Sequence, residues 1–159
     1  PTTLVLLTSM GAALMAALAA RVAWSRGGQM MGRPTRVLWA MVAFTPLCLF
    51  LWRYGVSDAF GMTDEWPDRV GWRCFKWSLS MGVLPLLALF YLRRDTELVR
   101  PATVGTALGI SVGALVWVPV DLWCPVAYAP HLLLGHVLPM LIFGAVGALL
   151  GRLVLAMRG

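Results

Sequence analysis

Asp121 to Gly151 reads D-L-W-C-P-V-A-Y-A-P-H-L-L-L-G-H-V-L-P-M-L-I-F-G-A-V-G-A-L-L-G. The first part is polar and reactive, with Asp121, Cys124, His131 and His136. The second is an apolar run long enough to cross a bilayer as a helix, with small residues spaced for close packing. Both histidines of the chain and one of its three cysteines lie in this stretch. It therefore describes a membrane helix that opens on a chemically equipped corner. The flanking chain decides which face that corner occupies and what joins it.

The 159 residues are 60% hydrophobic and only 13% charged, with a mean hydropathy of +0.79. A soluble domain carries about 25% charged residues. So few charges cannot cover a water-soluble globule, and the chain reads as an integral membrane protein in contact with lipid. The net charge of +6 does not point to nucleic acid, because the arginines sit in short connections between apolar runs. There they mark cytoplasmic loops. The first run has no charged leader and no small-residue cleavage site, so it is not a signal peptide.

A crossing needs about 20 residues. The pattern predicts an all-α, polytopic transmembrane helix bundle: one domain over 1–159 with five spans at about 1–24, 37–54, 73–92, 101–121 and 131–152. The first offers Ala12, Ala16 and Ala20 as a small face; the second carries Pro46 as a kink and ends at Arg53, which can snorkel. The fourth carries Gly105, Gly109 and Gly113, and the fifth Gly147 and Gly151. These small-xxx-small pairs mark close helix contact, within the chain or between subunits.

Charge sets the orientation. Arg21, Arg26, Arg33 and Arg36 follow the first span, Arg93, Arg94 and Arg100 outnumber Asp95 and Glu97 after the third, and Arg152 and Arg158 follow the fifth. These segments are expected in the cytoplasm. Asp58, Asp64, Glu65 and Asp68 outweigh Arg53 and Arg69 after the second span, and Asp121 is the one charge after the fourth. These connections are expected on the periplasmic face of a bacterial inner membrane. Pro1 then begins outside, which leads us to expect a sixth, N-terminal span upstream. Trp66, Trp72, Trp77, Trp117, Trp123 and Tyr128 fall near the outer face, where such rings ordinarily anchor helices.

Threading brings Cys74, at the outer start of the third span, toward Cys124 and the histidines. A disulfide or a redox-switchable thiol pair is one reading, allowed in an oxidising compartment. A transition-metal site of Cys74, Cys124 and His136 is a second, since thiolate and imidazole suit soft and borderline metals. In an α-helix five residues advance about 7.5 Å and turn about 140°. On that geometry His131 and His136 do not share a face, and His131 falls outside the set. Buried thiols acting as small hydrophobes are the third reading, and the packing role suits Cys48. Asp121 is expected to form a structural ion pair with Arg73, with Lys76 also near by topology.

There is no C-x-x-C relay, no adjacent cysteine pair, no H-E-x-x-H and no nucleophile motif. The chain does not read as an enzyme, and no resident cofactor is indicated beyond a transition metal acting as a signal. No acidic or basic residue is expected mid-bilayer, which argues against ion-coupled transport.

W-R-C at Trp72–Cys74, R-R-D at Arg93–Asp95, P-A-T-V-G-T-A-L-G from Pro101, C-P at Cys124-Pro125, His136 after a leucine run, and G-A-L-L-G-R ending at Arg152 together resemble the NrsF-like membrane anti-sigma factors. The resemblance is carried by Trp72 to Arg152, about half the chain. It implies six helices, a cytoplasmic N-terminal segment that holds an extracytoplasmic-function sigma factor, and release of that factor under metal or oxidative stress. The family's paired periplasmic cysteines carry over onto Cys74 and Cys124. The sigma-holding segment would lie upstream of this chain. The alternative is a small membrane transport or structural protein in which a Cys74–Cys124 disulfide is a staple.

Overall fold

The structure is a computed structural model and describes residues 2–24, 35–63, 70–94 and 100–155. Five helices follow one another: α1 Thr2–Trp24, α2 Thr35–Ala59, α3 Trp72–Arg93, α4 Pro101–Trp123 and α5 Ala129–Val154. There is no strand among the described residues. All five are long and apolar enough to cross a membrane. The fold is therefore an all-α bundle of membrane-spanning type. Leucine and alanine are the commonest residues in these segments and lose little or no side-chain freedom in a helix. Pro101 opens α4 at a position where its missing N–H is not needed. Gly61, at φ +64°, closes α2 in a left-handed turn in which Met62 N–H donates to Ser57 C=O at 2.9 Å.

Several residues that set the expected orientation lie outside the described residues: Arg26, Arg33, Asp64, Glu65, Asp68, Arg69, Asp95, Glu97, Arg158 and the aromatic Trp66. The two ends of the bundle are named here by what they carry. The cysteine end holds the α2–α3 and α4–α5 connections, and the arginine end holds Arg93 and Arg94.

α4 is the central helix. Of its apolar window 67% is buried, against 22–44% for the other four. Its glycines lie against α5, within the same chain. A Cβ on Gly105 would strike the Gly147 carbonyl, on Gly109 the Phe143 carbonyl, and on Gly113 the Met140 side chain. From the other side, a Cβ on Gly147 would strike the Gly105 carbonyl and one on Gly151 the Pro101 carbonyl. The two backbones touch, so van der Waals contact between them replaces the hydrophobic drive that lipid cannot supply. Ala12, Ala16, Ala19 and Ala23 of α1 are buried, while Ala20 is half-buried. Leu14, Leu18, Phe44, Leu84 and Leu149 face outward, as suits a surface bathed in lipid chains.

The charged residues inside the bundle are partnered. At the arginine end, Arg93 is buried, donates to the Ala23 carbonyl of α1 at 3.1 Å and lies over the Trp24 ring at 5.4 Å. This satisfies a carbonyl in the last turn of α1, where a cation is favoured. At the cysteine end the expected Asp121–Arg73 pair is not formed. Asp121 pairs with Arg53 of α2 at 2.6 Å, and both side chains are buried. The reason is the length of α2. The helix continues past Arg53 to Ala59, so the guanidinium is not at a helix end and turns inward. Arg73, on the first turn of α3, is exposed. Arg53 and Asp121 thus form a buried charge pair within the helices, near the cysteine end.

Candidate functional site

Four side chains from three parts of the chain converge at the cysteine end. Cys74 stands on the first turn of α3. Cys124 is the extended residue that ends α4, its N–H donating to the Asp121 carbonyl at 3.3 Å. His131 and His136 come from the start of α5. Cys74 Sγ and Cys124 Sγ are 3.5 Å apart and are not joined as a disulfide. Cys124 Sγ is 3.0 Å from His131 Nε2. One candidate ligand atom from each of Cys74, Cys124, His131 and His136 lies within 4.8 Å of each of the others.

His131 therefore belongs to the cluster, although an ideal α-helix turns it away from His136. Leu133–Val137 is a π-turn, and the two imidazole centroids are 5.8 Å apart. A π-turn is closed by i→i+5 hydrogen bonds, which bring residues five apart nearly over one another. The cause is legible in the local sequence. Pro139 has no N–H to offer the Gly135 carbonyl four residues earlier, and its ring crowds that carbonyl. The helix widens there, and Ser78 Oγ of α3 donates to the Gly135 carbonyl at 3.2 Å instead.

Two glycines let α3 approach the widened turn. Gly71 caps α3 at φ +111°, a conformation glycine adopts without strain. A Cβ there would come to 3.0 Å from the His131 carbonyl, and one on Gly135 would come to 3.0 Å from Cys74 Cβ. This close seating of α3 on the turn brings Cys74 to the histidines.

The four groups are largely buried but not closed off. Cys124, His131 and His136 are buried and Cys74 is half-buried. A cleft of about 920 Å³, lined by Trp72, Trp77, Trp123 and Pro125 among others, leads to Cys74, Cys124 and His131. Neither ring nitrogen of His136 has a hydrogen-bond partner among the described residues, although the ring packs on Trp117 at 5.0 Å between centroids. Leaving a buried polar group unsatisfied costs about 1–3 kcal/mol. Trp117 is itself buried, so it supports His136 rather than anchoring the helix at an interface. Trp72, Trp77 and Trp123 are exposed as anchors would be. The Cys124 thiol is pushed above its usual pKa by its hydrogen bond to Cys74 and by burial, with His131 and His136 pulling the other way. The neutral thiol is the favoured form.

The cluster is tied to the rest of the bundle through Arg53. This side chain donates to the Cys124 carbonyl at 3.2 Å and to Ser57 Oγ, while it pairs with Asp121. Ser9 of α1 donates to the other oxygen of Asp121 at 3.3 Å. The Cys124 carbonyl is thereby held by Arg53 of α2, which pairs with Asp121 of α4, itself braced by Ser9 of α1.

A family model described as NrsF, negative regulator of sigma F, matches residues 1–156. No curated protein and no solved structure matches the chain.

Proposed function

Since this chain belongs to the NrsF family of negative regulators of sigma F, we propose that it is a membrane-embedded anti-sigma factor that restrains an extracytoplasmic-function sigma factor at the bacterial inner membrane. In this reading Cys74 and Cys124 sense metal or oxidative stress from the periplasmic face. The family is one of regulators, not a class of enzymes. The arginine-rich connections support the orientation, with the cysteine end outside. A segment upstream of this chain would hold the sigma factor.

The observation that carries the reading is the approach of two thiols to 3.5 Å from positions fifty residues apart, at one end of the bundle. In an oxidising compartment such a pair can lose two electrons and two protons to a peroxide-class oxidant and become a disulfide. A cation can take the same two sulfurs. Either event changes how α3 sits against the end of α4. The test is a sigma-dependent reporter in cells carrying the full-length protein with Cys74→Ser and Cys124→Ser together. Repression should persist and induction by cadmium or peroxide should be lost. Induction that survives in this variant rejects the sensing role.

A further inference from the structure

We propose that Cys74, Cys124, His131 and His136 form a four-ligand site for a closed-shell divalent ion of the zinc and cadmium class, with both histidines as ligands. The biological use of the site rests on the sensing reading above, while its chemistry rests on geometry.

The donor atoms lie within 4.8 Å of one another, with 3.5 Å between the sulfurs and 3.0 Å from Cys124 Sγ to His131 Nε2. A tetrahedral ion with metal–sulfur bonds of about 2.3 Å and metal–nitrogen bonds of about 2.0 Å sets its ligands roughly 3.3–3.8 Å apart. The cluster thus needs only small adjustments to reach bonding geometry, drawing in its longer separations and opening the shortest one. Two thiolates and two imidazoles are a four-coordinate set suited to such ions.

Independent support comes from His136. It is 3% exposed, and both of its ring nitrogens lack a hydrogen-bond partner among the described residues. A buried polar group in this state normally has a partner that completes it. The π-turn points the same way, because it brings into one cluster two histidines that a regular helix would separate.

Charge also selects the ion. On binding, the two thiols release their protons and become thiolates, and two neutral imidazoles add nothing. A divalent cation then leaves the assembly with no net charge, which suits a poorly hydrated position. The bound thiolates are no longer available to form a disulfide with each other. Metal and oxidant therefore compete for one pair of sulfurs, and a single cluster can report both.

The experiment uses the full-length protein in detergent micelles, kept reduced and free of chelator, and titrated with cobalt(II) as a spectroscopic stand-in for zinc. One equivalent should produce the visible bands of a tetrahedral ion together with thiolate charge transfer, and zinc should abolish both. Changes even to the partners of metal ligands weaken binding by about 10–100-fold, so His131→Ala and His136→Ala should each weaken binding at least tenfold. Cadmium NMR of the unaltered protein, which requires no variant to fold, should report two sulfur and two nitrogen ligands. A signal from two sulfurs with oxygen ligands, or cobalt bands unchanged when both histidines are replaced, overturns the proposal. The sensing reading is tested separately. If no metal binds but Cys74→Ser with Cys124→Ser still abolishes induction, the metal site falls and the sensor stands. If cobalt binds as described but induction survives, the metal site stands and the sensor falls.

Discussion

Removing one partner of the Arg53–Asp121 pair should do far more damage than removing both. The two side chains meet at 2.6 Å and are 5% and 1% exposed. Replacing Asp121 with Leu leaves the guanidinium enclosed without its counter-charge, and Ser9 loses its acceptor. Breaking a buried pair in this way costs about 3–5 kcal/mol, a shift of roughly a hundred- to several-thousand-fold in the folded-to-unfolded ratio. Replacing both residues, as Arg53→Met with Asp121→Leu, removes the desolvation penalty of both charges. Such exchanges are often neutral or stabilising. Arg53 also donates to the Cys124 carbonyl at 3.2 Å, and losing a charged hydrogen bond costs about 1.5–3 kcal/mol. The double variant should therefore recover most, but not all, of the loss. Thermal unfolding of the four proteins in one detergent, followed by helical circular dichroism, closes the double-mutant cycle. Equal losses in the single and double variants would refute the view that a stranded charge sets the cost. A harmless Asp121→Leu would refute the burial of the pair itself.

The remaining expectations concern packing and transmission. Gly109→Ala should destabilise the bundle by about 1–3 kcal/mol, because its Cβ meets the Phe143 backbone and α4 must part from α5. Gly55→Ala should stabilise α2 by about 0.5–1 kcal/mol, since nothing lies within 4 Å of the new Cβ and glycine is a poor helix former; the same melting assay reads both, and similar effects at the two sites would contradict the α4–α5 contact. Arg93→Ala frees the Ala23 carbonyl and the Trp24 ring. In the sigma-dependent reporter it should leave repression in place and blunt induction, and an unchanged dose response would remove Arg93 from the transmission path.

The helices were legible because lipid imposes one simple demand, long uncharged runs with cations at one set of ends. The glycine faces of α4 and α5 were legible for a related reason. In lipid, backbones that touch need residues without side chains, and the four-residue spacing of Gly105, Gly109 and Gly113 displays that need. The Cys74 and Cys124 encounter followed from threading alone, since both fall at the same end. His131 was missed because its position was judged on regular α geometry. The signal lies in Pro139, whose missing N–H widens the turn that joins the two histidines. The role of Arg53 is hidden in the sequence because the end of the apolar run is not the end of the helix. α2 continues through Tyr54, Val56 and Ser57 to Ala59, and what looked like a snorkelling residue became the partner of Asp121. Helix length past the last apolar residue is decided by tertiary contacts, which local composition does not encode.

The two sulfurs stand on elements that differ in how firmly they are held, and this decides which one moves when they are joined. Cys124 ends α4, whose backbone touches α5 through Gly105, Gly109, Gly147 and Gly151, and its carbonyl is held by Arg53. Displacing it would separate backbones in van der Waals contact and disturb a buried ion pair. Cys74 stands on α3, the least enclosed helix, with 22% of its window buried. Sliding α3 exchanges one lipid contact for another over its exposed surface and disturbs the Ser78 bond to Gly135, the seating of Gly71 on the α5 turn and the packing of Gly82 on Phe143. A disulfide or a shared ion should therefore draw α3 toward a stationary α4–α5 unit. A helix transmits such a shift along its axis, and the far end of α3 carries Arg93, bonded to the last turn of α1. On this argument a shift at the cysteine end should reach the arginine end through α3, the least enclosed of the five helices.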